Sequence, residues 1–283
     1  MELAHKHRPW ATGQHFFLCF PALTIWQSHP LTVASVPKTS TLHHVYIIRC
    51  RRGETGRLKT LALNQTSDPS HKDSKTPFTI PAILSGPYGK ALLPSSTTTN
   101  PEPTNLLAIA GGTGISLTLP LILASSSTIV SLGPAINFIW IIRRCSNMQW
   151  IAAELDELKC LSRAKGTNLQ IHIYVTQEAQ PCPTSSSSEI QSTETDEKAA
   201  IEHNVEPIKA ENNDRFSVTY LDASKPSLRG IVQEFMNKRA EQAYRTRVIA
   251  SGPASMGIDL RDAVARENDG GRVWKARGGG MSN

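Results

Sequence analysis

Two domains of different class are predicted, a β region followed by an α/β domain with a parallel sheet. Three observations predict them. Before residue 90 the apolar runs are short and separated by proline and glycine. After residue 104, apolar runs with strand and helix character alternate at short spacing. The low-complexity stretch Pro94–Thr104, PSSTTTNPEPT, lies between the two patterns.

In the first part, HFFLCF, IWQSHPLTVAS, HVYIIRC and FTIPAIL read as antiparallel strands of a small barrel or sandwich. The second of these carries His29, Pro30, Thr32 and Ser35 where a strand should be most regular. Read alone, it is an edge strand with a bulge, because proline has no N–H for the ladder. In RCRRGETGRLKTLA, Gly53 and Thr55 precede a short helical stretch. Their donors, with Arg49 or Arg51, suit a pyrophosphate, although these residues taken alone favour a hairpin turn with basic flanks. The polar stretch 64–77 is expected to be a loop.

In the second part, NLLAIA, INFIWII, LQIHIYVT, FSVTYL and TRVIAS are expected strands. SLTLPLILASS, MQWIAAELDELKCL, SLRGIVQEFMNKRAEQA and SMGIDLRDAVAR are expected helices. Residues 177–213 are rich in Ser and Thr, then acidic, and lack apolar periodicity; they are expected to be a disordered insert. The domains are therefore 1–93, a linker at 94–104, and 105–283.

Three strand ends carry chemistry. The first strand of the α/β part runs into Gly111, Gly112, Thr113, Gly114, Ile115 and Ser116 and then into a helix. Glycines admit a ligand to the backbone, and a helix start offers unpaired N–H groups to a pyrophosphate. A tight turn without a ligand is the alternative. INFIWII ends at Arg143 and Arg144, cations placed for a ribose 2′-phosphate and hence for NADPH over NADH, unless they simply cap the strand. TRVIAS ends at Ser251, Gly252 and Pro253, on the same sheet edge as the first loop.

Composition limits the rest. The chain has 283 residues, 39% apolar and 19% charged, enough for two cores. Its net charge of +6 understates a basic background, since residues 178–214 hold nine Asp or Glu against two Lys. The cations are scattered rather than arrayed with aromatics, which argues against nucleic acid and for small anionic ligands. Five widely spaced cysteines argue against a disulfide framework and fit a reducing compartment. No CxxC or HxxxH spacing points to a metal. Neither a run of about 18 apolar residues nor a signal segment is found.

Taken in order, Gly13-Gln14-His15, His29-Pro30-Leu31-Thr32, Gly53-Glu54-Thr55, Gly86-Pro87-Tyr88-Gly89, Gly111–Ser116 and Gly252-Pro253 resemble the flavin- and nucleotide-binding segments of the ferric reductase and NADPH oxidase family. This family is ferredoxin–NADP reductase-like, and the nearest likeness is to fungal ferric-chelate reductases. The resemblance implies an FAD-binding β barrel, here without its first strand, and an NAD(P)-binding α/β domain. It implies that His29, Pro30, Leu31 and Thr32 lie along FAD, with Thr32 near the reactive face and Arg49, Gly53 and Thr55 at its phosphates. It places Gly111–Ser116, Arg143, Arg144, Gly252 and Pro253 on NADPH, with Ser251 beside the nicotinamide where many relatives carry cysteine. Electrons would pass from NADPH through FAD to a soluble ferric chelate or a haem-containing membrane subunit, in the cytoplasm or on the cytoplasmic face of a membrane. The glycine-rich end departs from the family pattern, with Trp274 the one aromatic that could cover a flavin. A non-catalytic remnant or interaction protein keeping the nucleotide fold is the rival reading.

Overall fold

A computed structural model describes residues 1–4, 9–37, 43–66, 79–93, 103–128, 133–164, 166–179, 214–239, 244–268 and 277–278. Residues 94–102 of the expected linker, residues 67–77 of the expected polar loop, most of the acidic insert, and Trp274 lie outside these; Thr104, expected in the linker, already belongs to a strand.

The β region contains β1 (Glu2–Ala4), β2 (His15–Cys19), β3 (Ser28–Thr32), β4 (His43–Val45) and β5 (Ile83–Tyr88). β2 is central, paired antiparallel with β3 and β5, so that His15 faces Thr32 on one side and Tyr88 on the other. β1 pairs with β4. Ala34 N donates to Val45 O at 2.8 Å, which links the two small sheets beyond the end of β3. Phe16, Leu18, Phe20, Val33, Tyr46 and Leu58 form the core of this region. Each such side chain, fully buried, contributes roughly 1.5–3 kcal/mol.

Several expectations change here. A strand forms at Glu2–Ala4, where none was read. The segment 25–35 keeps strand structure only at Ser28–Thr32, because Ile25 and Trp26 stand out from the sheet, Trp26 being 88% exposed. Of FTIPAIL, residues 78–84, only Ile83 and Leu84 belong to a strand; the ladder starts at Ile83 and runs on through Gly86-Pro87-Tyr88. The helix after Gly53, α1, is longer than expected, spanning Glu54–Thr66 and taking in the start of the predicted 64–77 loop.

The second domain is β6 (Thr104–Gly111), α2 (Ile115–Thr128), β7 (Ile136–Ile142), α3 (Ala152–Arg163), β8 (Leu169–Val175), β9 (Phe216–Tyr220), α4 (Leu228–Asn237), β10 (Arg245–Ser251) and α5 (Ala254–Asn268). All five strands are parallel, in the order β10-β6-β7-β8-β9. A two-residue strand, β11 (Arg277–Gly278), lies parallel beside β10, so a strand does form in the glycine-rich end.

Side chains alternate across a strand, and β6 therefore feeds both faces of the sheet. Leu106, Ala108 and Ala110 pack with α2 and α3 residues such as Leu119, Ile122, Leu155 and Leu158. Leu107 and Ile109 pack with α4 and α5. In α4 the buried set is Leu228, Val232, Phe235 and Met236; in α5 it is Met256, Leu260, Ala263 and Val264. Both have spacings of four, three and one, which put them on one helical face. Ser227 caps α4, its hydroxyl accepting from Gly230 N at 3.1 Å. α4 ends at Asn237, short of the expected 243. β8 is apolar on one face only: Gln170, His172 and Tyr174 alternate with fully buried residues.

The two domains touch. Val36, Ile47, Leu92 and Leu93 pack against the α2–α3 side of the core, and Arg247 donates to Leu92 O at 2.8 Å. Cys145 is disulfide-bonded, an exception to the expectation from cysteine spacing, whereas Cys19, Cys50 and Cys160 are free.

Candidate functional site

The chain orders its strands 1-2-3-4 outward from β6 and then returns to lay β10 on the other side of β6. The carboxyl ends of β6 and β10 thus form the switch point, where open parallel sheets bind ligands. Their registers align, Ser251 opposite Ala110 and Gly111 opposite Ile141, so the loops after β10, β6 and β7 leave the sheet at one edge. The expected residues Gly111–Ser116, Arg143, Arg144 and Ser251–Pro253 are brought together at that edge.

The glycines divide by what surrounds them. A Cβ on Gly114 would stand 2.0 Å from Ser251 O, and one on Gly111 would stand 2.7 Å from Pro253 Cδ and 3.3 Å from Gly252 Cα. These two glycines let the β6 and β10 loops touch backbone to backbone. Gly112 is different: its φ is +55° and nothing lies within 4 Å of its Cβ position. It is the glycine with open space before it, and that space can admit a ligand. Ile115 is fully buried in the core and Ser116 is 7% exposed, which leaves Thr113 as the more accessible hydroxyl.

The loop is held from beneath. Trp140 of β7, fully buried, donates its indole N–H to Gly112 O at 3.0 Å. Met256 of α5 brings its sulfur against Gly111 and its methyl against Gly252. Neither residue was singled out from sequence. A tryptophan inside a buried strand must find an acceptor for its N–H, and that was the available signal.

Arg143 and Arg144 are exposed at the end of β7. Arg144 N donates to Asn147 Oδ1 at 3.2 Å, and Cys145 N to Glu178 Oε2 at 2.8 Å. Across the domain contact, Arg49 is held below the ordinary guanidinium range, first by burial and then by Arg51 and Arg143. Cations from the β4–α1 loop and from the end of β7 therefore share one region.

In the β region, His29, Pro30, Leu31 and Thr32 all lie on β3, an edge strand, which suits Pro30. Alternation puts His29 and Leu31 on one face of this strand and Pro30 and Thr32 on the other. Gly53, at φ +91°, opens the turn into α1 with nothing within 4 Å of its Cβ position. The Thr55 hydroxyl accepts from Arg51 N at 3.1 Å and keeps its own hydrogen for another acceptor. Between Gly53 and Thr55, Glu54 turns inward and meets His29 Nε2 at 2.5 Å.

Among the described residues, no group of His, Cys, Asp and Glu could hold a metal ion. Among them too, no helix is long and apolar enough to cross a membrane.

An antiparallel β region followed by a parallel α/β sheet, with glycine loops at its switch point, defines the ferredoxin–NADP reductase-like class. Solved structures agree on the fold. The chain resembles a ferredoxin NADP+ reductase from Neisseria gonorrhoeae with bound FAD and NADP (TM-score 0.53, 14% identity, 94% of this chain and 83% of that one). It also resembles a cytochrome P450 reductase from Amycolatopsis (TM-score 0.51, 12% identity, 94% and 60%).

Family models narrow the class. Residues 103–265 match the ferric reductase NAD binding domain and residues 1–92 an FAD-binding domain; the chain belongs to the ferric reductase family. It is an oxidoreductase module with FAD- and NAD(P)-binding domains. Curated relatives include ferric reductase transmembrane component 1 of Schizosaccharomyces pombe, 26% identical over 196 residues, 59% of this chain and 32% of that protein. Ferric reduction oxidase 7, chloroplastic, of Arabidopsis thaliana is 27% identical over 177 residues, 59% of this chain and 22% of that one. The chain thus spans a third or less of their length.

The residues present fit both groups that the family implies. Gly53 and Gly112 each leave an open, positive-φ cradle, Thr55 retains a hydroxyl donor, and Arg49 lies near enough to Arg51 and Arg143 to feel their charge.

Proposed function

We propose that this chain passes electrons from NADPH through FAD to an acceptor, as a reductase of the ferric-chelate type. The observation that carries this reading is the backbone contact of Gly114 with Ser251 and of Gly111 with Gly252, which makes one ligand crevice of two loops. FAD, when bound, supplies a ring that takes up a hydride and gives up electrons singly, so the protein's task is position and electrostatics.

In this reading Gly112 and Thr113 receive the nicotinamide nucleotide's pyrophosphate on the short 3-10 turn Gly112–Gly114, which leads into α2 and to whose carbonyls the Ile115 N–H bonds back. Arg143 and Arg144 select the 2′-phosphate. Gly252 and Pro253, both exposed, border the nicotinamide, and Ser251 offers a hydroxyl there. His29, Pro30, Leu31 and Thr32 hold the flavin, with Thr32 toward its reactive face, and Arg49, Gly53 and Thr55 bind its phosphates. The acceptor is a soluble ferric chelate or a haem-containing membrane subunit, which places the chain in the cytoplasm or on the cytoplasmic face of a membrane.

The experiment is direct. Purified protein loaded with FAD should be yellow, and its flavin band should bleach when NADPH is added without oxygen. Thr32→Ala should slow the bleaching. Protein that stays colourless after soaking in FAD would instead support the remnant reading.

A further inference from the structure

Glu54 is an acid where a phosphate-binding turn calls for donors. It begins α1, a 13-residue helix, and a carboxylate there is favoured by the helix dipole. The dipole does not explain its burial. The Glu54 side chain is only 2% exposed, although Arg51, Arg52 and Gly53 just before it are exposed. Oε2 lies 2.5 Å from His29 Nε2. Oε1 is buried and has no hydrogen-bond partner.

Two consequences follow from donor and acceptor chemistry. An ionised carboxylate only accepts, so the hydrogen between Glu54 and His29 belongs to Nε2. Glu54 thereby sets the ring's tautomer and orientation, and Nδ1 is the nitrogen left over. Oε1 likewise needs a donor, and a phosphate oxygen is not one; the pair would repel. A hydroxyl satisfies it.

We infer that Glu54 is itself a ligand-binding residue: Oε1 accepts a hydrogen bond from a hydroxyl of the sugar-alcohol chain of a bound flavin, while Oε2 positions His29 beside it. The inference rests on the flavin-binding reading above. It divides the β4–α1 turn into a hydroxyl-reading acid at its centre and phosphate-reading donors around it, on Thr55, Arg49 and Arg51.

The test compares FAD, riboflavin and lumiflavin, the last having the ring without the sugar-alcohol chain. Binding to wild type, Glu54→Gln and Glu54→Met is followed by flavin fluorescence. Glu54→Met should weaken FAD and riboflavin by about tenfold or more and leave lumiflavin within about twofold. Glu54→Gln, which keeps an acceptor oxygen, should lose less. Nitrogen-15 spectra of the flavin-free protein should show His29 protonated at Nε2 in wild type and redistributed between its nitrogens in Glu54→Met. ADP-ribose affinity, read on the other domain, reports whether each variant is folded; if Glu54→Met fails that control, Glu54→Gln carries the comparison. Equal weakening of all three flavins would assign Glu54 to packing alone, and no weakening would leave Oε1 to water; either overturns this inference while flavin binding stands. A wild type that binds none of the three overturns both readings.

Discussion

Gly114→Ala probes the contact on which the crevice depends. A methyl there would stand 2.0 Å from Ser251 O, 2.5 Å from Ser251 C and 3.0 Å from Gly252 N. Ordinary contact needs roughly 3.5 Å, so the β6 and β10 loops would have to part by more than about 1 Å. All three atoms are backbone, and no rotamer change can relieve the clash. Overpacking of this kind costs about 1–3 kcal/mol, and with no side chain to yield the upper end is expected. For a protein of this size that lowers Tm by roughly 6–12 °C. Nucleotide affinity should fall with it, since the same movement displaces Gly112 and Pro253. Thermal melting and NADPH titration calorimetry read the two effects. If the variant melts with wild type and binds NADPH equally well, the loops are not in contact and the crevice argument fails.

Other perturbations separate the remaining claims. Gly112→Ala meets no atom but must hold φ near +55°, so it should cost roughly 1–2 kcal/mol in urea melts. Gly257→Ala, in α5 with open space and no positive φ, should stabilise by roughly 0.5–1 kcal/mol; a loss there would contradict the packing described. Ser227→Ala removes the α4 cap and should cost about 1 kcal/mol, whereas an unchanged urea midpoint would deny the cap any part in stability. Arg143→Ala with Arg144→Ala should weaken NADPH by about tenfold and spare NADH, and equal losses would remove the 2′-phosphate assignment. Burial holds His172 below its ordinary value of 6.5, although nearby Glu234 opposes this. As pH falls below 6.5 the unfolded chain takes up the proton first, so stability is full above that value and declines beneath it. His172→Gln should flatten that decline in urea melts between about pH 7 and 5; burial of His15 acts in the same direction and leaves a residue of it.

The alternation of apolar runs and the glycine positions were legible because period and punctuation are local. NLLAIA followed by Gly111-Gly112 reads as strand and turn without any partner in view, and Ser251-Gly252-Pro253 reads the same way. The β region was less legible. Its strands are short, and what ends them is a neighbour: Trp26 leaves the sheet and Ile83–Tyr88 enters it because of pairing with β2. Trp140 stands unmarked within the apolar run INFIWII and Glu54 within a polar turn, and their sequence neighbours do not show what either side chain meets.

The chain's own residues determined the order of domains, the strand-to-glycine-to-helix joints and the cations at their ends, since each follows from conformational preference and charge over a few positions. Tertiary structure alone decided which glycine is used for what. Gly111 and Gly114 are consumed by the approach of a strand more than 130 residues away, whereas Gly112 keeps free space before it. It also turned Glu54 inward onto His29. Such distinctions depend on distances between segments remote in sequence, and local preference carries no information about those distances.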